Sequence, residues 1–157
     1  MRRVNAILSH PRFVECLERT DEAERDREFC VHDMNHLLDV ARVAYILCLE
    51  TGDSIDKELF YAAALLHDIG RWRQYEDGTP HEQESARIAQ EILPECGFND
   101  VETEMILDAI VSHRTHLDEK PGFAGLIYRA DKLSRQCFDC AVARECDWEM
   151  KNARLEY

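Results

Sequence analysis

Apolar side chains recur three and four positions apart along most of the chain, in segments that short polar breaks separate. This spacing is typical of helices that turn one apolar face towards a core. No segment shows the alternation of apolar and polar residues that a half-buried strand requires. The pattern therefore predicts an all-α fold.

Two helices are predicted near the start of the chain. The first runs from Pro11 to about Arg19, and a charged run over 21–28 follows it, which we interpret as a solvated connector. The second helix covers 33 to about 51 and carries a wide apolar stripe. Gly52 follows at the position where a left-handed C-cap is common.

The third predicted helix contains the most apolar segment of the sequence. Residues 59–66 are all apolar, and Ser54 or Asp56 can cap the helix that contains them. Because this helix is apolar on every side, we expect it to be buried at the centre of the fold. Gly70 is expected to stop it.

The second half of the chain is also predicted to be mostly helical. Residues 72–80 are the exception, and we expect a loop there with a turn at Asp77 and Gly78. Further helices are predicted over about 81–93, from 100 or 103 onwards, over 123 to about 135, and in the remainder up to 157.

Chain length and charge narrow the class of protein. The chain has the 157 residues of a single domain, and its 19 basic and 32 acidic residues give a net charge of −13. Because such a surface repels phosphates at long range, nucleic acid is not expected as the main partner. Without a membrane span or a signal-peptide core, the seven cysteines are expected to be reduced in a cytoplasmic protein.

Histidine and aspartate side chains stand near the ends of five predicted helices. Imidazole and carboxylate together suit Fe, Mn, Zn, Ni or Co. The candidate ligands are His32, His36, His67, Asp68, His81, His113, His116 and Asp131.

The pair His67 and Asp68 is unusual because it directly follows the eight apolar residues 59–66. Burying an unpaired carboxylate costs several kcal/mol or more, and a divalent cation removes that cost. The two oxygens of Asp68 could also bridge two cations about 3.5–4 Å apart. The alternative is a helix C-terminus whose His and Asp side chains face water.

The stretches around these residues resemble, in their order, the HD-domain superfamily of metal-dependent phosphohydrolases. That family's pattern is a histidine, a His-Asp pair and a distal aspartate on a helical bundle. The matching stretches are 36–41, 64–70 and 130–133, and 81–86 and 110–113 match its dinuclear branch. The resemblance implies one HD-type domain over 1–157, a bundle of about six to eight helices, with its core over about 32–131 and a cysteine-containing extension over 137–157.

The resemblance also implies two divalent transition-metal ions, with iron as the first expectation and Mn, Ni, Co or Zn as alternatives. A water molecule between the two ions would attack phosphorus. One ion would be held by His36, His67, Asp68 and Asp131, and the other by His81, His113 and the second oxygen of Asp68.

Within the dinuclear branch, the sequence is similar to the symmetrical dinucleoside tetraphosphate hydrolases. This implies a hydrolase that cleaves a phosphate ester or anhydride of a small molecule, with a nucleotide as the expected substrate. Two alternatives share the same pocket: a mixed-valent di-iron oxygenase of the superfamily, and a non-catalytic metal or nucleotide sensor. The oligomeric state stays open, with a homodimer as one alternative.

Further residues have two interpretations each. His32 resembles the proton-donating histidine of the cyclic-nucleotide phosphodiesterase branch, so it is either the general acid or a helix-start residue that only caps or packs. His116 is a spare ligand, or it supports a ligand or faces solvent. Arg71, Arg114 and Lys132 are phosphate-binding residues or ordinary surface charges.

A cysteine cluster lies beyond the stretches that carry the resemblance. Cys137, Cys140 and Cys146 have a spacing that could hold a zinc ion or an iron–sulfur cluster. No fourth ligand is evident nearby. The alternative is that these cysteines only pack against neighbouring residues.

Overall fold

The computed structural model describes residues 1–113, 122–146 and 157, and no strand occurs within these ranges. The predicted all-α fold is therefore confirmed for the described residues. Their helices are α1 (Arg2–Ser9), α2 (Pro11–Ala23), α3 (Met34–Thr51), α4 (Lys57–Leu66), α5 (Arg71–Asp77), α6 (His81–Glu95), α7 (Asp100–Ser112) and α8 (Phe123–Leu133), followed by a 3-10 turn (Cys137–Asp139).

Helix α4 lies at the centre of the bundle, as its sequence predicts. It packs against α1, α3, α6, α7 and α8, and every residue from Ala62 to Leu66 is fully buried. Of the two predicted caps, Asp56 is the one used, because its side chain accepts a hydrogen bond from the backbone N–H of Glu58. Because α4 is at the centre, the polar residues that follow it, His67 and Asp68, lie in the interior of the protein.

Both ends of α3 agree with the sequence prediction. Asp33 caps the N-terminus and accepts a hydrogen bond from the backbone N–H of His36 at 2.9 Å. Gly52 follows the last turn with φ of 77°, the left-handed conformation that an L-residue adopts only with strain. The Asp33 cap fixes the start of α3, and therefore the backbone of His36.

Two helices are absent from the sequence prediction. Residues 71–77 form α5 instead of the predicted loop, because Gly78 is the left-handed C-cap of a helix and not part of a hairpin-like turn. Gly70 correspondingly is the N-cap of α5, whereas α4 already ends at Leu66. Helix α1 was not predicted because only Val4 and Ile7 are buried on it, too few to show a period.

Other helices end at different residues in the structure than the sequence predicts. Helix α2 continues into the charged run, up to Ala23, and α6 continues through Pro94 to Glu95. The sequence predicts a helix over residues 137–146, but the structure has only the 3-10 turn there. Few apolar side chains in this segment can pack on the core. Within the described part of the chain, no helix has both the length and the hydropathy of a membrane span.

Candidate metal centre

The structure brings six of the predicted ligands together at one place inside the bundle. They come from the start of α3, the turn after α4, the start of α6, the end of α7 and the last turns of α8. All are buried except His36, whose side chain is 11% exposed. The six residues are His36, His67, Asp68, His81, His113 and Asp131.

Asp68 lies between two groups of these side chains. Its Oδ2 atom is 3.2 Å from His67 Nε2 and 3.8 Å from His36 Nε2. Its Oδ1 atom is 3.1 Å from His81 Nε2 and 3.6 Å from His113 Nε2. The two carboxylate oxygens therefore face two different sets of imidazole nitrogens, which is the arrangement that a bridging carboxylate requires.

Asp131 completes the first group. Its Oδ1 atom is 3.5 Å from His36 Nε2 and 3.8 Å from His67 Nε2, while Lys132 Nζ donates to its Oδ2 atom at 2.5 Å. One oxygen of Asp131 is thus held by Lys132, and the other faces the imidazoles. Arg135 Nη2 lies 3.6 Å from the same Oδ1 atom.

The backbone fixes which ring nitrogen two of the histidines present. His67 Nδ1 donates to the carbonyl oxygen of Ala64 at 2.7 Å, and His113 Nδ1 donates to that of Ile110 at 2.6 Å. With Nδ1 engaged by the backbone, Nε2 is the ring atom that faces Asp68. A metal ion bound there would replace any proton on Nε2, since histidine binds metal ions through a neutral ring.

The second group places three acceptors against one another. His81 Nδ1 donates to Gln74 Oε1 at 2.6 Å, which leaves Nε2 as the ring atom of His81 that faces the cluster, and the Nε2 atoms of His81 and His113 are only 3.1 Å apart. Asp68 Oδ1 faces both of them. Lone pairs at this separation repel each other unless a cation lies beside them, so the donor set fits a bound cation.

Buried atoms without hydrogen-bond partners lie at the same place. Four such atoms of the described residues face the interior of the two groups: His36 Nε2, His67 Nε2, Asp68 Oδ1 and Asp131 Oδ1. Native proteins rarely leave buried polar atoms without a partner. Coordination of metal ions would satisfy all four.

Burial and the neighbouring charges shift the pKa values of the clustered histidines in different directions. Burial lowers the pKa of His67, but the negative charges of Asp68 and Asp131 beside its ring outweigh burial and raise the pKa to about 10. Burial, followed by the charge of His67, lowers the pKa of His36 to about 4. Burial also lowers the pKa of His81, so its ring is neutral beside Asp68.

His32 lies beside the cluster rather than in the solvent. Its ring is 3% exposed, and His32 Nε2 is 3.8 Å from Asp68 Oδ2. His32, His36 and Asp68 have ligand atoms within 4.8 Å of one another. On its other side, His32 Nδ1 is 2.8 Å from Glu24 Oε1.

Three residues that support the site were missed by the sequence interpretation. Glu24 lies in the charged run that we interpret as a solvated connector, and Gln74 and Tyr75 lie on α5, in the segment that the sequence predicts to be a loop. Glu24 accepts from Tyr75 Oη at 2.6 Å. For Gln74 and Tyr75 the sequence signal is their spacing, three and four positions after Arg71. On a helix this spacing places them on the same face as Arg71, but the signal requires that α5 be recognised as a helix.

The predicted basic residues have different outcomes. Arg71 faces the second group, with Nη1 3.7 Å from Asp68 Oδ1 and 3.3 Å from His81 Nε2. Lys132 binds Asp131, as described above. Arg114 and His116 lie outside the described residues.

Within the described part of the chain, the cysteine cluster forms no ligand group. Cys137, Cys140 and Cys146 are free and half-buried. Among the described residues, no cysteine sulfur belongs to a group of three or more ligand atoms within 4.8 Å of one another. Their metal-binding role stays a prediction without structural support.

The fold and the cluster define a class: a helical bundle with a buried centre of histidine and aspartate side chains able to hold divalent metal ions. Residues 34–136, more than half of the chain, match the HD domain family, and the chain belongs to this family. The family match covers His36, His67, Asp68, His81, His113 and Asp131.

Known proteins are similar to the chain over different extents. An uncharacterized protein of Clostridium beijerinckii is 45% identical over 159 residues, covering 100% of both chains. Ribonuclease Y of Enterococcus faecalis is 33% identical over 101 residues, 64% of this chain and only 18% of that protein.

A solved structure shares the fold. The crystal structure of a predicted HD superfamily hydrolase from an uncultured Thermotogales bacterium superposes with a TM-score of 0.59 at 30% sequence identity. The superposition covers 76% of this chain and 66% of that one. These comparisons support membership in a hydrolase superfamily.

Proposed function

We propose that this chain is a metal-dependent phosphohydrolase that cleaves a phosphate ester or anhydride of a small molecule, foremost a nucleotide. Two divalent transition-metal ions would be bound, iron first among them. The observation that carries the proposal is the position of Asp68, whose two oxygens face two separate sets of imidazole nitrogens at 3.1–3.8 Å.

These distances support the two ligand sets that the family resemblance implies. His36, His67, Asp131 and Asp68 Oδ2 would hold one ion, and His81, His113 and Asp68 Oδ1 the other. When bound, the ions supply Lewis acidity and an activated water molecule for attack on phosphorus.

The chain's own residues would then act on the substrate around this centre. Arg71 and Lys132 place positive charge on opposite sides of the cluster, next to Asp68 and Asp131 respectively, where they can neutralise phosphoryl oxygens. His32, with Nε2 facing the cluster, is positioned to donate a proton to the leaving oxygen.

Two observations bear on the size of the substrate. The name of the ribonuclease Y relatives points to RNA, but the chain spans only 18% of the Enterococcus protein. The net charge of −13 opposes the approach of a long polyanion. We therefore favour a small phosphorylated molecule over RNA as the substrate.

The test begins with protein purified and loaded anaerobically with Fe²⁺ or Mn²⁺. Metal content per chain is measured together with phosphate release from dinucleoside polyphosphates, nucleoside phosphates and a short RNA. We expect about two ions per chain and hydrolysis of a small phosphate without oxygen. Oxygen consumption without phosphate release would favour the oxygenase, and nucleotide binding without turnover would favour the sensor.

Single substitutions distinguish the ligands of one ion from the ligand that both ions share. His113→Ala is expected to reduce the metal content from about two ions to about one, whereas Asp68→Asn is expected to lose both ions and all activity. Asp108→Asn is the matched control, because Asp108 is an exposed carboxylate on the same helix as His113. Equal metal content in Asp68→Asn and the unmodified protein would contradict the proposed centre.

A further inference from the structure

Glu24 is a buried carboxylate outside the part of the chain that matches the HD domain family. It follows α2, is only 5% exposed, and lies in a segment otherwise exposed from Asp21 to Phe29. A charge buried on an irregular connector is expensive unless several donors satisfy it. The structure therefore has to compensate Glu24, and the way it does so indicates its role.

Four donors converge on the two oxygens of Glu24. Oε2 accepts from the backbone N–H of His32 at 2.7 Å. Oε1 faces His32 Nδ1 at 2.8 Å, Tyr75 Oη at 2.6 Å and Arg71 Nε at 3.2 Å. Glu24 thus connects the end of α2, the residue before α3 and helix α5 at one point beside the metal centre.

The protonation of Glu24 follows from these contacts. Burial raises the pKa of Glu24, but hydrogen bonds from His32 and Tyr75 and the charge of His32 lower it to about 2. Glu24 is therefore a carboxylate at neutral pH and can only accept hydrogen bonds. The proton shared with His32 must then lie on Nδ1, which leaves Nε2 as the ring atom that faces Asp68.

We propose that Glu24 is the positioning residue of this site: its carboxylate accepts the Nδ1–H of His32 and thereby fixes the imidazole with Nε2 directed at the cluster, where this nitrogen can carry the proton that is donated. Glu24 acts on the reaction only through His32. The kinetic part of this inference rests on the function proposed above, while the state of the His32 ring does not.

The first test is spectroscopic and needs no substrate. In ¹⁵N-labelled protein loaded with Zn²⁺, long-range ¹H–¹⁵N correlations report which nitrogen of each histidine carries the proton. We expect His32, identified by the loss of its signals in His32→Gln, to show a hydrogen-bonded Nδ1–H. In Glu24→Gln this proton should shift upfield and exchange faster, whereas Glu22→Gln, an exposed carboxylate on α2, should leave it unchanged.

The second test is kinetic. Glu24→Gln is expected to lower kcat by about 10-fold or more, with metal content unchanged and KM changed by less than about twofold. In the His32→Ala background the same substitution should have no further effect on kcat, because Glu24 affects kcat only through the His32 side chain, which this variant lacks. Additive losses of kcat would indicate a merely structural role and overturn the proposal.

The two tests distinguish a failure of the role proposed for Glu24 from a failure of the proposed function. A His32 ring without a proton on Nδ1 in the unmodified protein overturns the inference whether or not any substrate is hydrolysed. If no substrate is found, the proposed function fails, and the spectroscopic result alone decides the role of Glu24. Should Glu24→Gln not fold, Glu24→Asp keeps the charge on a side chain shorter by one methylene, and it is expected to retain the Nδ1 proton with a weaker hydrogen bond.

Discussion

Gly70 lies between the metal-binding turn and α5, where α6 passes very close to the backbone. A Cβ atom added at this position would be 2.5 Å from the backbone nitrogen of Ser85 and 2.8 Å from the carbonyl carbon of Glu84. The backbone N–H of Gly70 also donates to Ser85 Oγ at 2.9 Å. Because φ of Gly70 is −92°, the absence of a side chain and not backbone freedom is what this position requires.

We therefore expect Gly70→Ala to lower the free energy of unfolding by about 2–3 kcal/mol, because α6 must move away from the turn. Urea unfolding of the variant measures this loss. Gly78→Ala is the comparison: nothing lies within 4 Å of an added Cβ there, but φ is 80°, so only backbone strain of about 1 kcal/mol is expected. A Gly70 variant as stable as the Gly78 variant would contradict the close approach.

At the residue scale, the role of a polar residue can be predicted from the sequence when its neighbours in the chain are apolar enough to imply burial, because burying it without a partner would cost free energy. Asp68 is such a residue, since eight apolar residues precede His67 and an unpaired buried carboxylate would be unstable. Glu24 is the opposite case. Its neighbours in the chain are charged and exposed, and its burial depends on His32, Tyr75 and Arg71, which only the tertiary structure brings to it.

At the scale of elements, α1 shows how a short helix can be joined firmly to the bundle without a recognisable sequence pattern. Arg3 joins it to two other helices: Nε is 2.7 Å from Glu58 Oε2 on α4, and Nη1 is 2.8 Å from Glu102 on α7. Its guanidinium also lies 4.3 Å from the ring centre of Phe98. Single-sequence periodicity could not show this, because the two helices it joins begin more than fifty residues later in the chain.

We expect Arg3→Met to lower the free energy of unfolding by about 1–2 kcal/mol near neutral pH, between the effects of exposed and buried ion pairs. Hydrogen bonds from the amino group of Met1 and from Arg3 lower the pKa of Glu58 to about 2, so its contribution is present above about pH 4.5 and is lost as the pH falls towards 2. Unfolding curves at several pH values should therefore converge for the two proteins in acid.

Arg2→Met provides the control for that comparison, since Arg2 is exposed on the same helix. It should leave the unfolding free energy within about 0.5 kcal/mol of the unmodified protein at every pH. A difference between Arg3→Met and the unmodified protein that persists unchanged in acid would show that packing on Phe98, and not the ion pairs, is what Arg3 contributes.

At the scale of the whole molecule, the acidic surface and the buried centre have opposite effects on phosphates. The net charge of −13 repels a polyanion before it reaches the protein. Inside the bundle, Arg71, Lys132 and bound cations would attract a phosphate group at short range. A small substrate experiences mainly the short-range attraction, whereas a long RNA experiences the repulsion along its whole length.

Salt dependence distinguishes these two cases. For a protein that binds RNA through basic residues, affinity falls steeply between about 50 and 200 mM salt. For this chain we expect kcat/KM on a single-stranded RNA to stay level or to rise over that range, because salt screens the repulsion. The hydrolysis of a small phosphate should change little, and it serves as the control for metal loading at each salt concentration. A steep fall with salt for the RNA alone would reveal a basic binding surface and make RNA the better candidate substrate.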